Sequence, residues 1–256
     1  MSILRLVLKS AAPLPKLESF SRYLFIGPHP DDIEIGCGAT VSKLVSLGKE
    51  VSFLICLDGR YGLMNAPEGT LPKDLIEIRR KEAIESAKML GVDDVHFLDL
   101  QDGGFYAERD LREAIATRVG IFKPDVMFAP DPDVPNECHI DHLNVGRQSK
   151  IVAQSAPNQW VMERYGANPA DVKAIALYMT ARPNTFIGTR GHVDKQLSAI
   201  FDVHLSQFPK ECQEAKSIPL YIKLRSFFFG IRSFKGRAEG FRVLDATHMH
   251  CLPEEP

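Results

Sequence analysis

The sequence predicts an α/β fold: a mostly parallel β-sheet flanked by helices, in a single domain with a less regular C-terminal extension. Two patterns carry that expectation. Short runs of β-forming residues alternate with longer stretches of helical period, which calls for a parallel sheet with right-handed crossovers. The first unit also reads Tyr23-Leu24-Phe25-Ile26-Gly27, then His29-Pro30-Asp31-Asp32, then Gly36-Cys37-Gly38-Ala39-Thr40. That is the strand, tight turn and helix of a doubly wound, Rossmann-like fold. A length of 256 residues fits one large domain.

Taken in order, the first helix is expected over about 37–47, closed by Gly48, and Glu50–Leu57 is the second strand. Asp58-Gly59 opens a loop that ends near Pro72. Lys73–Leu90 has helical period, with Leu75, Ile78, Ala83 and Ala87 towards the core and Gly91 as C-cap. Val95–Leu98 is the third strand, 108–122 the next helix, and Asp125–Pro130 the fourth strand. A proline-rich polar loop then leads to His139-Ile140-Asp141-His142 and a helix over 143–156. Strands are expected over 172–179 and 184–189, and helices over 193–207 and 209–224. Beyond Gly230 the chain is basic, glycine-containing and without a clear pattern.

Composition narrows the function. A formal charge of −2 gives no sign of a polyanionic partner, so nucleic acid is not expected. Five scattered cysteines without a CxxC pair point to reduced thiols and a cytoplasmic setting. The segment Met1–Leu17 lacks the sustained apolar run of a signal peptide. No stretch approaches the roughly 18 apolar residues of a membrane span. The apolar run Ser226–Ile231 is too short for one and suits a core or a subunit interface.

The chemistry lies in two fragments, His29-x-x-Asp32 after the first strand and His139-x-Asp141-His142 after the fourth. Both fall in loops at the carboxyl edge of the sheet, where such folds bind ligands. A catalytic zinc site uses three N/O protein ligands and leaves a fourth position open. His29, Asp32 and His142 meet that need, and Asp31, His139 and Asp141 would surround the open position as a base and a supporting pair. Each fragment alone is also readable as a helix N-terminus with an Asp cap. Their occurrence at equivalent strand ends favours the site.

These two motifs resemble those of the LmbE/PIG-L family of zinc-dependent N-deacetylases, as do the landmarks Arg79-Arg80-Lys81-Glu82-Ala83, Leu100–Gly104 and His204-Leu205-Ser206-Gln207. The resemblance covers about residues 21–208, taken as the deacetylase core. Residues 209–256 would complete the same domain or form an oligomer interface. The family removes acetyl from N-acetylglucosamine-type groups. The resemblance implies zinc, or another divalent metal such as Fe2+, on His29, Asp32 and His142. It makes Asp31 the general base and His139 with Asp141 the oxyanion and proton-handling pair. Arg79 and Asp102 fall where substrate is held, with Arg80 a competing register. The expected partner is a small acetylated amino sugar or its conjugate, acted on by a metal-bound water.

The chain departs from the family pattern in two places. Ile33 follows the Asp pair where a Glu is frequent, with Glu34 one place later. Glu137 stands where some relatives carry a Tyr that assists the oxyanion, so that donor is absent or comes from Tyr61 or Tyr106. The family also includes amidases acting on other sugar or antibiotic conjugates. Two further rivals are a non-haem iron oxygenase, which also uses two His and a carboxylate, and a non-catalytic nucleotide- or sugar-binding module. No all-β pattern supports the first. Gly36-Cys37-Gly38 beside two aspartates is a poor phosphate cradle for the second. Finally, the chain resembles oligomeric members in which a C-terminal His completes a neighbour's pocket. The tail Thr247–Pro253 carries His248 and His250; no motif aligns either with that residue, and a frayed terminus is the alternative. A homo-oligomer is expected.

Overall fold

The computed structural model describes residues 10–252, so the first nine residues of the Met1–Leu17 segment and Pro253 of the tail lie outside it. A seven-stranded sheet runs in the order β3-β2-β1-β4-β5-β7-β6. Its strands are β1 (Arg22–Gly27), β2 (Glu50–Leu57), β3 (Asp94–Leu100), β4 (Val126–Pro130), β5 (Ala174–Tyr178), β6 (Thr185–Gly188) and β7 (Ala238–Asp245). The first five pair in parallel, with Tyr23 opposite both Val51 and Val126. β7 runs antiparallel to both β5 and β6. The strand order reverses between β1 and β4, so the crevice at their carboxyl ends is the topological switch point.

The period of two along β1 divides the core. Leu24 and Ile26 face a cluster with Leu111, Ile115, Val119 and Val152 from the helices α3 (Glu108–Phe122) and α4 (Ile140–Ser155). Tyr23 and Phe25 face the opposite cluster, joined by Val41 and Leu44 of α1 (Asp32–Ser46) and Ala87 and Leu90 of α2 (Pro72–Leu90). Phe25 stacks on Phe128 with ring centroids 4.3 Å apart. A short helix, α5 (Gln159–Arg164), follows α4 and has no counterpart in the sequence reading. All five cysteines are free thiols, and no helix among the described residues is long and apolar enough to cross a membrane.

The helix α1 begins at Asp32, five residues before its expected start, and kinks at Cys37, whose backbone leaves the helical region. The glycines around the kink serve packing. A Cβ on Gly36 would lie 2.3 Å from the Tyr178 ring, and one on Gly38 2.9 Å from Gln196. Ile78 is not in the core, being 37% exposed.

The C-terminal part differs most from expectation. Helix α6 (Val193–Phe201) stops six residues early, and the irregular segment after it grips neighbouring elements. Ser206 bonds Glu82 through both its amide and its hydroxyl, and Gln207 Nε2 donates to the Gly62 carbonyl at 2.9 Å. Helix α7 (Glu214–Arg232) starts later than expected and runs through the phenylalanine-rich stretch. Its small residues Ser226 and Gly230 face inward, where a Cβ on Gly230 would meet the Gly236 carbonyl at 2.1 Å. Phe227, Phe228 and Ile231 point out instead. β7 then enters the sheet between β5 and β6, so residues past 209 complete the sheet. The tail folds back on its own chain, with Met249 against the core and His248 Nδ1 2.7 Å from Asp245 Oδ1, while His250 is exposed.

Candidate active site

The β1–α1 turn brings His29 and Asp32 together. The Asp32 carboxylate accepts the His29 backbone N–H at 2.8 Å, and the same oxygen lies 3.2 Å from His29 Nδ1. Between them Asp31 takes φ 131°, ψ −25°, a left-handed conformation that an L residue adopts only when its surroundings impose it. At the end of β4, the loop towards α4 is pinned where Asp131 meets Arg242 at 3.0 Å and Asp133 meets Lys150 at 2.7 Å. It delivers His139 as the N-cap of α4 and His142 one turn in. His142 Nε2 then lies 3.4 Å from Asp32 Oδ1. The two fragments converge: ligand atoms of His29, Asp32 and His142 all lie within 4.8 Å of one another, as do those of His29, His139 and Asp141.

A carboxylate stands behind each of the two inner histidines. Asp141, fully buried, has Oδ2 3.1 Å from His29 Nε2 and accepts the amides of Gly103 and Gly104 at 2.7 and 2.9 Å and the Tyr106 hydroxyl at 3.0 Å. Burial alone would raise its pKa, but these donors, His29 foremost, hold it down at about 2. Glu137 has Oε2 3.1 Å from His142 Nδ1 and accepts the His139 amide at 2.8 Å. Because an ionised carboxylate only accepts, the outer nitrogens, His29 Nε2 and His142 Nδ1, carry protons towards Asp141 and Glu137. The inner nitrogens, His29 Nδ1 and His142 Nε2, face Asp32 at 3.2 and 3.4 Å, where a proton or a cation fits.

The electrostatics favour positive charge at this point. Burial would lower the pKa of His29, yet Asp141 and Asp32 outweigh it and raise it to about 9. His142 likewise rises to about 9, with Asp32 and Glu137 overcoming burial. Burial would raise Asp32, but His142 and His29 hold it well below the usual carboxylate range. One divalent cation in place of the two inner protons satisfies the same donors, so the residues present fit such an ion.

Around this centre the other residues take distinct places. Asp31 is buried and accepts from Arg79 Nη2 at 3.0 Å; burial pushes it up to about 6, against the pull of Arg79. His139 is half exposed and stacks on His142 with centroids 4.8 Å apart. Burial and then the neighbouring cationic rings of His29 and His142 lower its pKa. Its Nδ1 accepts the Asp141 amide at 3.3 Å, which leaves Nε2–H as its donor. The Asp141 carboxylate serves His29 more closely than His139, at 3.1 against 3.8 Å.

Arg79 is 3% exposed and also donates to the carbonyls of Gly59 and Pro30 at 3.0 and 2.9 Å. Arg80 turns outward to Asp99, over the Phe97 ring. Asp102 is buried, with Oδ2 accepting the Tyr61 amide at 3.2 Å and Oδ1 without a partner. Of the two tyrosines considered as oxyanion donors, Tyr106 is bound to Asp141, whereas Tyr61 is partly exposed and its hydroxyl accepts from Gln101. The supports at Gly103, Gly104 and Glu137 were not assigned from the sequence. Their visible signals were the Leu100–Gly104 landmark, whose two glycines take positive φ, and the departure from the family pattern at Glu137.

The fold and the site together define an enzyme of the α/β class that can hold a divalent cation at its switch point. The family profile described as PIG-L, GlcNAc-PI de-N-acetylase, matches residues 24–153. The diacetylchitobiose deacetylase of Thermococcus kodakarensis is 31% identical over 91% of this chain and 86% of its own length. The solved structure of N,N'-diacetylchitobiose deacetylase from Pyrococcus horikoshii, in complex with an inhibitor, superposes with TM-score 0.86 at 30% identity over 99% of this chain and 97% of that one. The chain belongs to the PIG-L family of deacetylases. A 4-carboxy-2-hydroxymuconate hydratase from Pseudomonas putida shares the fold alone, with TM-score 0.73 at 16% identity over 88% of this chain and 96% of that one.

Proposed function

We propose that the protein removes the acetyl group from an N-acetylglucosamine-type sugar or sugar conjugate, using a zinc ion held by His29, Asp32 and His142. The observation that carries this reading is the convergence of those three side chains at the switch point with the buried carboxylate of Asp31 beside them. When bound, the ion polarises the acetyl carbonyl and acidifies the attacking water; Fe2+ would supply the same chemistry. Asp31, with its pKa near 6, is ionised at neutral pH and takes the water proton. His139, on the open side of the centre, donates its Nε2–H to the developing oxyanion. The proton on Asp31 is then returned to the departing amine.

Asp102, with Oδ1 lacking a protein partner, accepts a sugar hydroxyl, and Arg79, which holds the base Asp31 at 3.0 Å, is assigned to the same substrate. The protein acts on this small-molecule substrate as a cytoplasmic homo-oligomer, its free thiols in a reducing compartment and its tail near a neighbouring site. To test the reading, metal-replete protein is incubated with N-acetylglucosamine, N,N'-diacetylchitobiose and N-acetylglucosaminyl-inositol, and acetate and free amine are quantified. Equimolar release of both from at least one substrate is expected. No release from any of them would refute the reading.

A further inference from the structure

We propose that Glu137 is a positioning residue for the metal centre, fixing His142 as Asp141 fixes His29. This rests on the reading of His142 as a ligand. The two pairs are alike in geometry: Glu137 Oε2 lies 3.1 Å from His142 Nδ1, and Asp141 Oδ2 lies 3.1 Å from His29 Nε2. In both cases an acceptor-only group takes the proton of the outer ring nitrogen, which selects the tautomer and aims the inner nitrogen at Asp32.

The second oxygen of Glu137 is also committed. Oε1 accepts the His139 amide at 2.8 Å, so one carboxylate holds the backbone of the N-cap residue and the ring one turn later. That shared support accounts for the His139–His142 stack, whose planes differ by only 20°. The Glu137 backbone is itself fixed, its amide bonding the Val134 carbonyl at 3.1 Å in a loop tied down at Asp131 and Asp133. With both oxygens accepting from protein donors, Glu137 has no hydrogen-bond donor to offer an oxyanion. It therefore works on His142 and the loop.

The test measures zinc affinity by competition with a chelator for the wild type, Glu137→Ala and Glu137→Gln, alongside far-ultraviolet circular dichroism of each. Removing an outer-shell partner of this kind weakens metal binding by roughly 10–100-fold, the loss expected for Glu137→Ala. Glu137→Gln, whose amide oxygen can still accept from Nδ1–H, should lose less. In a His142→Ala background, Glu137→Ala should add less than about twofold, because the group it acts through is gone.

An unchanged zinc affinity in folded Glu137→Ala would overturn the proposal. So would an equal loss in the presence and absence of His142, since Glu137 would then act as a general negative charge. A wild type that binds no zinc would overturn the ligand assignment, and the proposal with it.

Discussion

Replacing Asp31 by asparagine should separate the proton-transfer role from the metal site. The substituted side chain keeps the shape of the original, and its amide oxygen can still accept from Arg79, 3.0 Å away in the wild type. The fold and the turn that presents Asp32 should therefore persist. What is lost is a carboxylate that can take a proton. General-base catalysis is worth about 10²–10⁴-fold, so kcat should fall by that factor with KM changed only a few-fold. Asp31 is outside the His29–Asp32–His142 group, so the variant should still bind one equivalent of zinc. The wild-type profile adds a second readout. A base must be ionised to act, so with a pKa near 6, kcat/KM should rise with pH through about 6 and level off above it. That acid limb should be missing in the variant. The assay is the initial rate of acetate release across the range from acid to mildly alkaline pH, with metal content measured on the same samples. A fully metallated variant that keeps kcat within about tenfold of wild type would refute the assignment of Asp31 as base.

Asp32→Ala and His142→Ala should each lose tightly bound zinc, measured by elemental analysis after desalting; one retained equivalent in both would remove the ligand set. His139→Ala should lower kcat and kcat/KM together by about 10²–10³-fold, as for an interaction made in the transition state, whereas a change in KM alone would make His139 a substrate contact. Gly36→Ala drives a Cβ to within 2.3 Å of the Tyr178 ring and should destabilise by about 1–3 kcal/mol; an unchanged Tm in calorimetry would show that the strand–helix contact relaxes freely. Deleting residues 247–256 should raise KM or lower kcat with zinc content intact; unchanged kinetics, or a full-length protein that sediments as a monomer, would contradict a tail that serves a neighbouring site.

The legible part of the fold was the part with a simple period. β1, β2 and β4 are buried on both faces and read as runs of β-formers, and α2 and α3 show helical spacing and terminal glycine or proline. β7 escaped because Glu239, Gly240 and Arg242 interrupt its apolar residues. Arg242 can be buried there only because Asp131 and Asp133, from a loop over a hundred residues earlier, neutralise it. The phenylalanine-rich run of α7, expected in a core or a subunit interface, turns Phe227 and Phe228 outward, while Ile222, Ser226 and Gly230 face inward.

The site divides in the same way. The two motifs stood out because each ends a strand beside the switch point, where two short stretches are brought together by topology alone. The supports behind them depend on tertiary contact. Asp141 reaching His29 and Arg79 buried against Asp31 are set by how α2 and α4 pack on the sheet, and no local spacing announces them. Glu137 reaches His142 only five residues on, through the course of the loop before α4.

The most direct measurement is a zinc titration of metal-stripped enzyme, with deacetylation of N,N'-diacetylchitobiose or whichever sugar of the panel is cleaved as the readout. The account predicts negligible acetate release without metal, a linear rise to one equivalent of zinc per chain, and no further gain beyond it. Activity that persists in the stripped enzyme, or a rise that needs two or more equivalents, would contradict a single centre on His29, Asp32 and His142.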